Sequence, residues 1–270
     1  MIYTRYRRAA SLIITFSLAF FLGCIFMQKQ EARKSVARAI DPMKGDIGAK
    51  DTKSDNTNSQ DPAASFNPFP IASPMHREFD EYRTWVISNK KLAAVGDSAT
   101  PGYLLRLSGQ LQAKGVPRLP TELLEQRLSS VSKILPSLDT HLCSTFMRGG
   151  LSAAEFFIKA YPAMESFSAE EAKAWITFNK AAIEAQLNGA PVIVLSTDNA
   201  TQGIVKIAQS MYGPQSSAFI SGLVNLKTAN DEDTCTTVKI LYAKGNALPE
   251  PYRGYMARML LTGAEGNEKL

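Results

Sequence analysis

The sequence predicts an all-α protein: a compact domain of about nine short amphipathic helices behind one N-terminal transmembrane helix. Three observations predict it. Residues Ala9–Met27 run nineteen positions without a charge, which at about 1.5 Å per residue nearly matches a hydrocarbon core of roughly 30 Å. Beyond His76, apolar residues recur at helical spacing between Pro and Gly punctuation. The one strand-like run, Pro191–Ser196 (PVIVLS), has no second strand to pair with.

The apolar run reads as an uncleaved signal anchor. A secretory signal has a core of roughly 7–15 residues and a small-x-small cleavage site soon after it. Here the core is longer, Gln28 to Glu31 follow directly, and Ala37-Arg38-Ala39 lies too far downstream. Phe21-Leu22-Gly23-Cys24 has the outline of a bacterial lipoprotein box, which makes lipidation at Cys24 the alternative. Against it, Phe21 replaces the usual Leu, and Ile25, Phe26 and Met27 prolong the apolar run. Arg5, Arg7 and Arg8 flank the run on one side, and Lys29, Arg33 and Lys34 on the other. With cations on both flanks, the short three-Arg tail (1–8) decides orientation by staying in the cytoplasm. The C-terminal domain is then expected outside it, in the periplasm of a two-membrane cell.

The sequence pI near 9.0 comes from the membrane flank. Residues 1–45 hold eight Lys/Arg and two Asp/Glu, leaving 22 basic and 23 acidic residues in the remainder. The excess charge suits anionic headgroups, at about 1 kcal/mol per residue. The distal domain offers no basic footprint, which excludes nucleic acid as a partner.

Residues 28–75 read as a basic juxtamembrane segment and a linker. From Asp41 to Met75, Asp, Asn, Ser, Lys, Gly and Pro dominate, with too few large apolar residues to offset the entropy of ordering. About thirty-five such residues reach roughly 30–35 Å. Phe66 and Phe69 are expected to lean on the domain surface, with docking on a partner as the alternative.

The domain proper is expected over 76–263, with 264–270 as a flexible C-terminus. Leu124, Leu128, Val131 and Leu135 fall on one helical face between Pro120 and Pro136. Gly149-Gly150 separates two helices. Ser152/Glu155 and Ser168/Glu171 are capping boxes, each opening an apolar helix. The second of these runs to Leu187, with Asn188-Gly189 as its left-handed cap. PVIVLS is expected to be an extended, buried connector before a cap at Thr197/Asp198. Ile204, Ala208 and Met211 mark a helix closed by Gly213-Pro214, and Ser216 or Ser217 opens the next. Asn230 to Asp233 put acids at the first turn of a helix carrying Cys235, Val238 and Tyr242. Pro251 suits the first position of a last helix.

Cys143 and Cys235 form the only cysteine pair beyond the apolar run, and each falls on an apolar helix face. Outside the cytoplasm such a pair is expected to bridge, closing a loop of about ninety residues worth roughly 4 kcal/mol. In the opposite topology both would be buried free thiols. Asp139, His141 and Cys143 do not share one helix face, and no further Cys or His group completes a metal set. A surface His141 beside a capping Asp139 is expected, with no metal and no cofactor.

Ser130-Val-Ser-Lys133, Thr197-Asp-Asn199 and Lys227-Thr-Ala229 resemble, in order, the SxxK, SxN and KTG elements of penicillin-binding proteins and β-lactamases. That chemistry needs Ser130 as nucleophile and Lys133 as its base. It also needs KTG on a central strand, whereas Ala229 stands where Gly belongs and no sheet is readable. Ser130 is therefore expected to be an ordinary helix-surface residue. The leading expectation is a non-enzymatic, membrane-anchored binding, accessory or inhibitor (immunity-like) module with a protein partner near the membrane. The alternative is an envelope serine hydrolase using Ser130 and Lys133.

Overall fold

The computed structural model describes residues 67–150 and 153–268. The apolar run, its flanking cations and Cys24 lie outside these residues, as do Phe66 and the Ser152 cap. Among the described residues no helix is long and apolar enough to cross a membrane.

Helix formation follows local chemistry closely. α1 (Pro74–Ser88) starts where the Ser73 side chain accepts from the Met75 N–H with Pro74 at the first position. α2 (Lys90–Val95) is a six-residue helix capped by Asn89. α3 (Pro101–Gly115), α4 (Thr121–Ile134) and α5 (Thr140–Met147) follow, α5 capped by the Asp139 carboxylate on the Leu142 N–H at 2.7 Å. Gly149, at φ 75°, ends that segment. α6 (Ala153–Met164) leads into α7 (Ala169–Leu187), whose Ser168/Glu171 capping box is complete and whose exit turns through Gly189 at φ 64°. α8 (Thr197–Gln209), α9 (Gly213–Val224), α10 (Asp231–Asn246) and α11 (Tyr252–Leu261) complete the set. Eleven α-helices and no named strand occur among the described residues.

α4 is the hub. It packs on α7 from one side and on α10 and α11 from the other. Leu124, Leu128, Val131 and Leu135, the face predicted from spacing, are almost wholly buried, Leu135 standing one residue past the end of α4. α7 carries Trp175, Ile176, Phe178 and Ile183 against α1 and α3. Each such side chain contributes about 1.5–3 kcal/mol through burial. α3 and α7 touch backbone to backbone, since a Cβ at Gly115 would lie 1.7 Å from the Ala182 carbonyl oxygen. Only glycine permits that approach.

One buried cation ties distant segments together. The Arg258 guanidinium of α11, 4% exposed, donates to the carbonyls of Leu119 at 2.8 Å and Ile193 at 3.1 Å. It thereby joins the α3–α4 turn, the α7–α8 connector and the last helix.

Five sequence expectations about the fold need correction. Phe69 is core, 3% exposed, its ring 5.0 Å from Tyr161 and 5.7 Å from Phe79. The Asn67 side chain accepts from the Phe69 N–H and donates to the His76 carbonyl, so this end of the expected linker is built into the fold. Residues 264–268 are likewise held, because Leu195 and Asn267 form a parallel bridge and Asn267 is 5% exposed. Of the PVIVLS connector only Leu195 is buried; Ile193 and Val194 are exposed. Gly213-Pro214 opens α9 instead of closing α8, with Tyr212 as its N-cap residue.

Candidate functional site

Cys143 of α5 and Cys235 of α10 are joined by a disulfide, with Cα atoms 5.3 Å apart. Both are buried, as their apolar-face positions predicted. Just beyond α5, Arg148 finishes the joint. Its guanidinium donates to the Leu226 and Ala229 carbonyls, to Asp231 at 2.6 Å and to the Thr234 hydroxyl at 2.8 Å. The α9–α10 loop and the first turn of α10 are thus held by one side chain and one covalent bond.

His141, 83% exposed on its side chain, sits 2.8 Å from the other Asp231 oxygen. Hydrogen bonds from His141, Ser144 and Arg148 hold the Asp231 carboxyl down at about 2, well below the usual range. Asp139 is occupied as the α5 cap, so the expected surface His and capping Asp are both found. Among the described residues no group of three His, Cys, Asp or Glu could hold a metal.

This clamp frames a groove of about 790 Å³ between α9 and α10. Phe219, Ile240 and Met211 form its apolar lining, and Ser221 and Thr236 supply hydroxyls. Asp233 and Lys244, both exposed on α10, stand at opposite ends. They are eleven residues apart on the helix, roughly 16 Å along its axis. The helices approach closely at Gly222, where a Cβ would meet the Thr237 hydroxyl oxygen at 2.1 Å. α9 itself buries only Phe219. Its remaining apolar side chains are half-buried or exposed, Val224 at 42%, and its N-cap residue Tyr212 is 86% exposed.

The SxxK residues lie elsewhere. Ser130 is 8% exposed and its hydroxyl donates to the Gln126 carbonyl at 3.1 Å, so the expected surface serine is buried. Lys133 reaches across to α7, where its ammonium binds the Glu171 carboxylate at 2.7 Å and the Ser166 carbonyl at 3.4 Å. Burial raises the Glu171 carboxyl, and the hydrogen bonds from Lys133 and the Ser168 N–H outweigh it, leaving the group below its usual value. Glu171 is also the reciprocal half of the α7 capping box, which gives Lys133 a structural place.

Sequence reasoning reached the disulfide and missed Arg148, Arg258 and the groove. Arg148 carries one local signal, a cation at a helix C-terminus beside Gly149-Gly150. Its partners lie 78 to 86 residues away. A comparable case is Arg127, whose guanidinium stacks 3.1 Å from the Trp175 ring centre and 4.8 Å from that of Phe178. No known protein family, curated protein or solved structure matches the chain.

Proposed function

We propose that this chain is a non-enzymatic binding module, anchored in the inner membrane by Ala9–Met27 with its helical domain in the periplasm. There it serves a membrane-proximal protein in an accessory or inhibitor (immunity-like) role. The observation that carries the reading is the α9/α10 groove on a disulfide-clamped frame. Helix-in-groove recognition needs an apolar trough with polar rims, and this groove has one, with a carboxylate at one end and an ammonium at the other. Its occupant is an amphipathic helix of the partner, about three turns long. The apolar stripe of that helix seats on Phe219, Ile240 and Met211, an acidic side chain meets Lys244, and a basic one meets Asp233. The disulfide supports an extracytoplasmic site, because oxidising compartments form and keep such bonds.

In cells, a photo-crosslinking residue at Ala218 or Ser221 is expected to give one discrete adduct. It should vanish with Ile240→Asp and weaken with Lys244→Glu. The same residue at exposed Lys114 on α3 should give none. An adduct indifferent to both substitutions, or equally strong from Lys114, overturns the groove assignment. Alkaline phosphatase fused after Leu270 is expected to be active, and an inactive fusion reverses the topology. Covalent labelling by a fluorescent penicillin that is lost in Ser130→Ala would replace this reading with the hydrolase.

A further inference from the structure

We infer that the surface around Ile71 and Ile158 is the side of the domain that rests on the bilayer, with the headgroup–acyl boundary as its ligand. The inference builds on the anchored topology proposed above. Its first support is where the described chain begins. Asn67 and Phe69 are fixed in place, Phe69 between Phe79 of α1 and Tyr161 of α6. The Ser73 hydroxyl lies 3.5 Å from the Glu165 carbonyl just past α6. The 66 residues before Asn67, with the uncharged run among them, therefore all depart from the corner that α1 and α6 share.

The second support is what that corner exposes. Ile71, two residues beyond Phe69, is 88% exposed, and Ile158 is 58% exposed. Ile158 lies one turn before Tyr161 on α6, and the exposed Pro162 follows it at i+4 on the same face. Large apolar side chains left uncovered on either side of the Phe69–Tyr161 contact mark an interaction surface. Lys159, also exposed, stands beside Ile158, and a lysine there can lay its stem on the apolar layer while its ammonium meets phosphate. Two isoleucines and a lysine are too little to recruit a free protein. The linker that remains, residues 41–66, still reaches roughly 25–30 Å and removes that requirement, because it turns contact into an intramolecular event.

The test uses the full-length chain in nanodiscs of phosphatidylcholine doped with phosphatidylglycerol. In a Cys24→Ser background that keeps the disulfide, an environment-sensitive fluorophore is placed on Ile71→Cys, Ile158→Cys or Glu165→Cys. The distant, exposed Glu232→Cys on α10 is the control. Quenching by lipids carrying a nitroxide near the headgroup is expected to be several-fold stronger at 71, 158 and 165 than at 232. With the label at 165, Ile71→Ser/Ile158→Ser should bring quenching down to the level at 232 while circular dichroism stays unchanged. Equal quenching at all sites overturns the inference, as does a blue-shifted label at 158 that lipid quenchers do not reach, since a protein would then cover the patch. Failure of the chain to co-elute with nanodiscs would instead refute the anchor beneath it.

Discussion

Replacing Cys143 and Cys235 by alanine isolates what the disulfide contributes. The two cysteines are 92 residues apart in sequence. In the chain-entropy treatment, closing a loop of that size removes about 15–16 cal/mol/K from the unfolded ensemble, or about 4.6 kcal/mol at 25 °C. Unfolded chains are more compact than that treatment assumes, which lowers the figure. Cutting back two side chains that are 0% and 3% exposed leaves small voids at the α5–α10 contact, which raises it. The expected loss is about 3–5 kcal/mol, a large part of the roughly 5–15 kcal/mol that holds a domain together. Urea unfolding of the full chain in mild detergent, followed through the buried Trp175, reads it directly. The midpoint should fall, and the slope should steepen, because an uncrosslinked chain exposes more surface on unfolding. Reduced wild type should match the double variant. A loss below about 1 kcal/mol with an unchanged slope would refute the argument, since a 92-residue loop cannot be opened without enlarging the unfolded ensemble.

Gly115→Ala should cost about 3 kcal/mol or more, because its Cβ meets the Ala182 backbone oxygen; differential scanning calorimetry should show a clear drop in Tm. Gly109→Ala, with nothing within 4 Å, should instead stabilise by up to about 1 kcal/mol through helix propensity, and equal effects would discredit the close-approach reading. Arg258→Met should cost about 3–5 kcal/mol in urea unfolding, since it strips charge-assisted hydrogen bonds from the Leu119 and Ile193 carbonyls; a neutral result would mean that water replaces the guanidinium. Asp231 has its carboxyl pKa depressed to about 2 in the folded state, so its contribution is complete above the usual carboxylate range near 4 and is lost as pH falls toward 2. Asp231→Asn should therefore lower the urea midpoint near neutral pH and flatten its decline through that acid window; an acid limb identical to wild type would refute the assignment. Ser130→Ala should change stability by no more than about 1 kcal/mol, because the Gln126 carbonyl it loses is already a helix acceptor.

The elements that were readable before folding are those whose causes are local. Ser168 and Glu171 are three residues apart, Asn188-Gly189 stops the helix they start, and Asn230 caps Asp231–Asn246, so a short window of sequence contains each whole interaction. The disulfide was readable for a different reason: only two cysteines remain beyond the apolar run, and each lies on the buried face of its own helix. Phe69, Arg148, Arg258 and the bridge from Leu195 to Asn267 were not readable. Each depends on a partner some 65 to 140 residues away along the chain, and nothing near it in sequence distinguishes a Pro-flanked aromatic or a helix-end arginine that will be buried from one that will not. Gly213-Pro214 shows the same limit at a boundary, since the pair can close one helix or open the next. Local periodicity and capping thus determined which segments are helical. Tertiary packing alone decided which side chains between them are buried, because burial depends on the surface the rest of the chain brings up against them.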